Sequence, residues 1–236
     1  MQDSKQDKNN KTTWTIKQIT SQFRQARDAR NAIINSKFFK TGKGQYGEGD
    51  QFLGIKVPVI RKYAKEFKTT QIPILAQLVT SKFHEERLLA LIIMVMQYQQ
   101  AVKESNACTQ KAIYKTYVQS RAHINNWDLV DVTTEHIVGA HLFGTDCTIL
   151  YTWAKSKIVW ERRMAILATF HFIRRGDYSH TLKIAEILLY DEHDLIHKAV
   201  GWLLREIGKR EQRIEESFLK QHAHVMPRTM LRYAIE

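Results

Sequence analysis

HEERLLALIIMV, beginning at His84, is the first of five similar helix openings in this chain. NWDLVDVTTEHIV follows from Asn126, WERRMAILATFHF from Trp160, IHKAVGWLLREIG from Ile196 and PRTMLRYAIE from Pro227. The starts are 42, 34, 36 and 31 residues apart, the spacing of two-helix repeat units. Each text reads as the second helix of a pair. A stack of such pairs buries one face of every helix against its neighbours and lines up the starts of the second helices along one side. The expected fold is therefore all-α, an α-solenoid. In that stack Asp131, Arg163 and Lys198 take corresponding places and share one surface; the alternative is a chance likeness of amphipathic helices.

Outward from these openings, helical periodicity begins near Trp14 and continues almost to the end. The spacing predicts long helices over Ile16 to Phe38, Trp127 to Phe143 and Trp160 to Arg174, among others. Pro58, Pro73 and Pro227 fall near helix starts, where a missing N–H costs little. Gly144, Gly176 and Gly208 fall near helix ends, where a left-handed residue closes the last turn. One segment breaks the pattern. Phe38 to Pro58 holds Gly42, Gly44, Gly47 and Gly49 within eight residues, too many for a helix interior. Gly-Lys-Gly there lacks the spacing of a nucleotide-binding P-loop. Two readings stay open: an ordered loop beside a nucleic-acid backbone, with Lys40 and Lys43 exposed, or a simple connection.

Composition bounds the function. The chain has 236 residues, 44% hydrophobic, enough for a sizeable core. We expect a polar tail over residues 1–13 and a single domain over 14–236. A net charge of +12 favours a polyanionic partner, nucleic acid being the commonest. No run approaches the roughly 18 to 20 apolar residues of a membrane span, and the first residues are polar rather than a secretory signal. A cytoplasmic protein is expected. Cys108 and Cys147, the two cysteines, lack metal or disulfide spacing and read as core thiols. No HExxH or recognisable Ser/His/Asp order occurs, so no metal is expected.

The chemistry concentrates in NNWDLVD, Asn125–Asp131. Asn126 suits an N-cap, and Asp128 in the first turn is favoured by the helix dipole. Asp131 stands a turn deeper, four residues from Trp127 and on the same face. From spacing alone, an ion pair between Asp131 and Arg163 of the next repeat accounts for it.

FLGIKVP at Phe52, NNWDLVD at Asn125, WERRMAIL at Trp160, HKAVGWLLREIGKR at His197 and PRTMLRYAIE at Pro227 together resemble the DNA alkylation repair family. The likeness runs from about Ile33 to the terminus, in the same order and at compatible spacings. It implies HEAT-like helical repeats and a DNA glycosylase that hydrolyses the N-glycosidic bond of cationic 3- or 7-alkylated purines in duplex DNA. It also implies no cofactor, no membrane, no obligate protein partner and a monomer. The family's catalytic set carries over onto Trp127, Asp131, Arg163 and Trp202. Lys198, Arg205, Lys209, Arg228, Arg232 and Lys43 are candidates for tracking the DNA backbone, a contact that weakens with salt. The YGEGD text, Tyr46–Asp50, resembles a subgroup of the family. Members thought to bind damaged or branched DNA without removing bases leave a non-catalytic alternative, and a protein scaffold is a third.

Overall fold

Thr15 starts the first helix with a reciprocal cap: its hydroxyl accepts from the Gln18 N–H, and the Gln18 side chain accepts from the Thr15 N–H at 2.9 Å. The computed structural model describes residues 14–236, so the expected tail over 1–13 lies outside the described residues. In order the elements are α1 (Ile16–Phe23), a 3-10 turn (Arg24–Ala26), α2 (Ala29–Phe38), α3 (Val57–Glu66), α4 (Ile72–Val79), α5 (His84–Lys103), α6 (Ala107–Gln119) and a second 3-10 turn (Arg121–His123). Then come α7 (Trp127–Asp131), a π turn (Glu135–Gly139), α8 (Ala140–Leu142), α9 (Thr148–Ala154), α10 (Val159–Ala168), α11 (Phe170–Ile173), α12 (Ser179–Ile187), α13 (Asp194–Gly208), α14 (Gln212–His222) and α15 (Arg228–Ile235). No strand occurs among the described residues.

The expected all-α repeat architecture is present. The five helix openings read from sequence begin α5, α7, α10, α13 and α15, and each of these helices contacts the next in a single row. The helices preceding them pack behind. Apolar side chains from the two layers, among them Leu89, Ile93, Tyr117, Leu129, Met164, Leu203 and Met230, are buried in one continuous core. No helix among the described residues is long and apolar enough to cross a membrane.

Three of the long helices expected from periodicity are interrupted, each for a local reason, whereas those expected from His84 and from Leu195 run unbroken as α5 and α13. Ile16 to Phe38 divides because Asp28 is extended, caps α2 by accepting from the Asn31 N–H, and donates its own N–H to the Leu53 carbonyl. Trp127 to Phe143 breaks its first α-helical part after Asp131. The Thr133 hydroxyl donates back to the Leu129 carbonyl at 2.5 Å, and the Tyr117 hydroxyl bonds both Thr133 and Thr134 at 2.8 Å. These side-chain bonds compete with the helix ladder, and a π turn follows, a feature frequent at functional sites. Trp160 to Arg174 breaks at Thr169, whose hydroxyl turns back to the Ile166 carbonyl. Gly144 and Gly176 are left-handed as expected, whereas Gly208 is an ordinary last helical residue that makes room for the Glu215 carboxylate. Cys147 is buried, but Cys108 is exposed in the first turn of α6 and is not a core thiol.

Candidate active site

Along the row of second helices lies a cleft of about 480 Å³. Four successive helices build it. Trp127 and Asp131 come from α7, Arg163 from α10, Lys198, Trp202 and Arg205 from α13, and Tyr233 from α15. The repeat explains this convergence, since equivalent positions on stacked helices fall side by side.

Asn126 caps α7, its side chain accepting from the Trp127 N–H at 2.8 Å, and so sets the helix that carries Trp127 and Asp131. Asp131 is the last residue of that short helix. Arg163 grips it as a fork: Nε donates to Oδ1 at 2.7 Å and Nη2 to Oδ2 at 2.8 Å. The remaining guanidinium nitrogen, Nη1, donates to the Leu195 carbonyl at the start of α13. The Arg163 side chain is 6% exposed and that of Asp131 20%, so the arginine is buried behind a carboxylate that reaches the cleft. Burial pushes the Asp131 carboxyl above its ordinary value, against the hydrogen bonds and charge of Arg163. The bidentate geometry is that of an ionised pair.

A family model for DNA alkylation repair enzymes matches residues 19–236. The chain belongs to the DNA alkylation repair family. The match begins before Ile33, where the likeness read from the sequence starts, and takes in the second half of α1. A solved structure named a predicted DNA alkylation repair enzyme from Enterococcus faecalis shares the fold. It has a TM-score of 0.66 and 20% identity, and the match covers 88% of this chain and 94% of that one. No curated protein matches the sequence.

For this member of the DNA alkylation repair family, the four residues read as a catalytic set all line one cleft, with Trp202 held edge-on against Phe170 at 5.4 Å. The six candidate backbone contacts divide. Lys198 and Arg205 line the cleft; Lys43, Lys209, Arg228 and Arg232 do not. Lys198 pairs with Asp194 at 2.6 Å on its own helix, and Lys209 with Glu206 at 2.7 Å. Arg205 leaves its buried Nε without a hydrogen-bond partner among the described residues.

Several cleft residues escaped the sequence reading. Tyr233 lies one residue past Arg232, on a helix opening read only for its charges. His193 precedes α13, and burial lowers its pKa. Of the two readings left open for the glycine-rich loop, a simple connection falls short: Lys40, one of the two lysines expected to be exposed there, lines the cleft with Phe38 and Tyr46, which were not read as site residues. Phe39 stacks on Trp127 with ring centres 5.5 Å apart. The signal was present in the HEER text, whose four side chains are all buried at the start of α5. Glu85 accepts from the Leu53 and Gly54 N–H groups, both at 2.8 Å, while His84 and Arg87 bind Asp50.

Proposed function

We propose that this protein is a DNA glycosylase that hydrolyses the N-glycosidic bond of cationic 3- or 7-alkylated purines in duplex DNA. The observation that carries the reading is the Asp131 carboxylate, fixed by Arg163 and lining one cleft with Trp127 and Trp202. An N3- or N7-alkylated purine is already positive and leaves as a neutral base, so no general acid is required. The sugar left behind acquires oxocarbenium character. A preorganised carboxylate is complementary to that charge and can orient a water for attack at C1′. The indole faces of Trp127 and Trp202 add attraction for positive charge on sugar and base, on the order of 1 kcal/mol each when desolvated. Arg163 acts here as a positioning residue, because its fork is turned to Asp131 rather than toward a phosphate. Lys198 and Arg205 suit the backbone better. No cofactor enters this chemistry.

One observation favours a second reading. Both Asp131 oxygens are engaged by Arg163, as a purely structural ion pair between repeats requires. On that reading the protein binds damaged or branched duplexes without cleaving them. Incubation with methylated duplex DNA separates the two. Release of 3-methyladenine or 7-methylguanine supports the glycosylase; salt-dependent binding with no released base supports the second reading. Failure to bind duplex DNA at low salt would remove both.

A further inference from the structure

We propose that the loop from Phe39 to Asp50 is a fixed outer wall of the substrate site, in which Lys40, beside the Tyr46 ring, takes a DNA phosphate next to the bound nucleotide. The inference rests on the reading of the cleft as a DNA site.

The loop is closed upon itself. The Gly47 N–H donates to the Lys40 carbonyl at 3.1 Å, and the Gly44 N–H to the Glu48 carboxylate at 2.7 Å. Gly47 is buried, and a Cβ there would lie 2.4 Å from the Phe39 carbonyl oxygen, so the backbone passes where only glycine fits. Lys40 holds a left-handed backbone, φ +51°, unusual for a residue with a side chain and frequent where a fold fixes a functional group.

Asp50 latches the far end. Its Oδ1 accepts from Arg87 Nη2 at 2.8 Å and from Asn125 Nδ2 at 3.1 Å, while its Oδ2 faces His84 Nδ1 at 3.3 Å. The other His84 nitrogen meets Asp128 at 2.7 Å, one residue from Trp127. This buried group of two carboxylates, one guanidinium and one imidazolium ties the loop to the helix that carries Asp131. Phe39 continues the tie by stacking on Trp127. What the latch presents to the cleft is Lys40 and Tyr46. Lys40 makes no ion pair among the described residues, unlike Lys198, and its ammonium stands 5.9 Å from the Tyr46 ring centre. Tyr46 packs edge-on against Trp160 at 5.9 Å, which fixes its ring on the opening of the next repeat. A cation without an ion-pair partner among the described residues, beside a held aromatic ring on a loop tied down at both ends, is suited to take a phosphate.

The test uses the full chain. Affinity for a duplex carrying a tetrahydrofuran abasic analogue is measured against salt for wild type, Lys40→Met and Lys40→Arg. Lys40→Met is expected to flatten the slope of log affinity against log salt by about 0.9, one phosphate contact, and Lys40→Arg to restore it. An unchanged slope in Lys40→Met overturns the phosphate contact. If wild type releases no base, the glycosylase reading fails on its own. The salt slopes still decide Lys40.

Discussion

Arg163 holds Asp131 by both carboxylate oxygens, at 2.7 and 2.8 Å, and passes its third hydrogen bond to the Leu195 carbonyl. One side chain thereby joins α7, α10 and α13 at the floor of the cleft. The pair sets the direction of the carboxylate before any substrate arrives, which is what electrostatic stabilisation of a developing cation requires.

Removing the arginine leaves a largely buried carboxylate without its partner. Arg163→Met is expected to lower the unfolding free energy by about 3 to 5 kcal/mol, read by urea denaturation. Burial already raises the Asp131 carboxyl above its ordinary value, and only Arg163 opposes it. On the proposed mechanism base release needs the ionised form, so activity is expected to fall as pH drops through this raised pKa. In Arg163→Met that acid limb should move to still higher pH, measured as the pH dependence of single-turnover release.

His84 lies between the Asp50 and Asp128 carboxylates with the Arg87 guanidinium nearby. Burial acts to lower its pKa, but the charge and hydrogen bond of Asp128 and the hydrogen bond of Asp50 overcome this and raise it to about 9. An unfolded histidine titrates near 6.5. The folded value is the higher one, so the contribution is complete below about pH 6.5 and disappears as pH rises through about 9. Up to roughly 3 kcal/mol of stability is expected to vanish across that window. His84→Gln should flatten this alkaline slope in denaturation measured from pH 6 to pH 10.

Gly201 precedes Trp202 where α13 crosses α15. A Cβ there would lie 2.3 Å from the Met230 carbonyl oxygen and 2.6 Å from the Tyr233 Cβ. Both contacts are with the helix that supplies Tyr233 to the cleft. Gly201→Ala is expected to force the two helices apart, costing about 1 to 3 kcal/mol in thermal or urea unfolding, and to slow base release by displacing Trp202.

The repeat was legible because each second helix carries its own opening text, and the stacking of those helices brings Asp131, Arg163 and Lys198 to one cleft as the spacing implied, while Trp202 was legible only through the family resemblance. What sequence concealed came from contacts distant in the chain. Nothing local near Thr133 says that Tyr117 will reach its hydroxyl and end the helix at Asp131. Asp50 reads as part of a polar turn until His84, Arg87 and Asn125 close around it. Lys43 sits in the same glycine-rich text as Lys40, and only the fold of the loop brings Lys40 to the cleft and leaves Lys43 outside it. Asp28 was the exception: a good N-cap in plain sight, overlooked because the apolar periodicity runs past it.

Asp131→Asn keeps the shape of the side chain and removes its charge, and so separates a catalytic carboxylate from a structural one. The measurement is single-turnover release of 7-methylguanine from methylated duplex DNA, with duplex affinity determined on the same preparation. The expected result is a rate at least about 10²-fold below wild type with affinity retained. A mutant that releases base at the wild-type rate would contradict the assignment of Asp131 as the catalytic group.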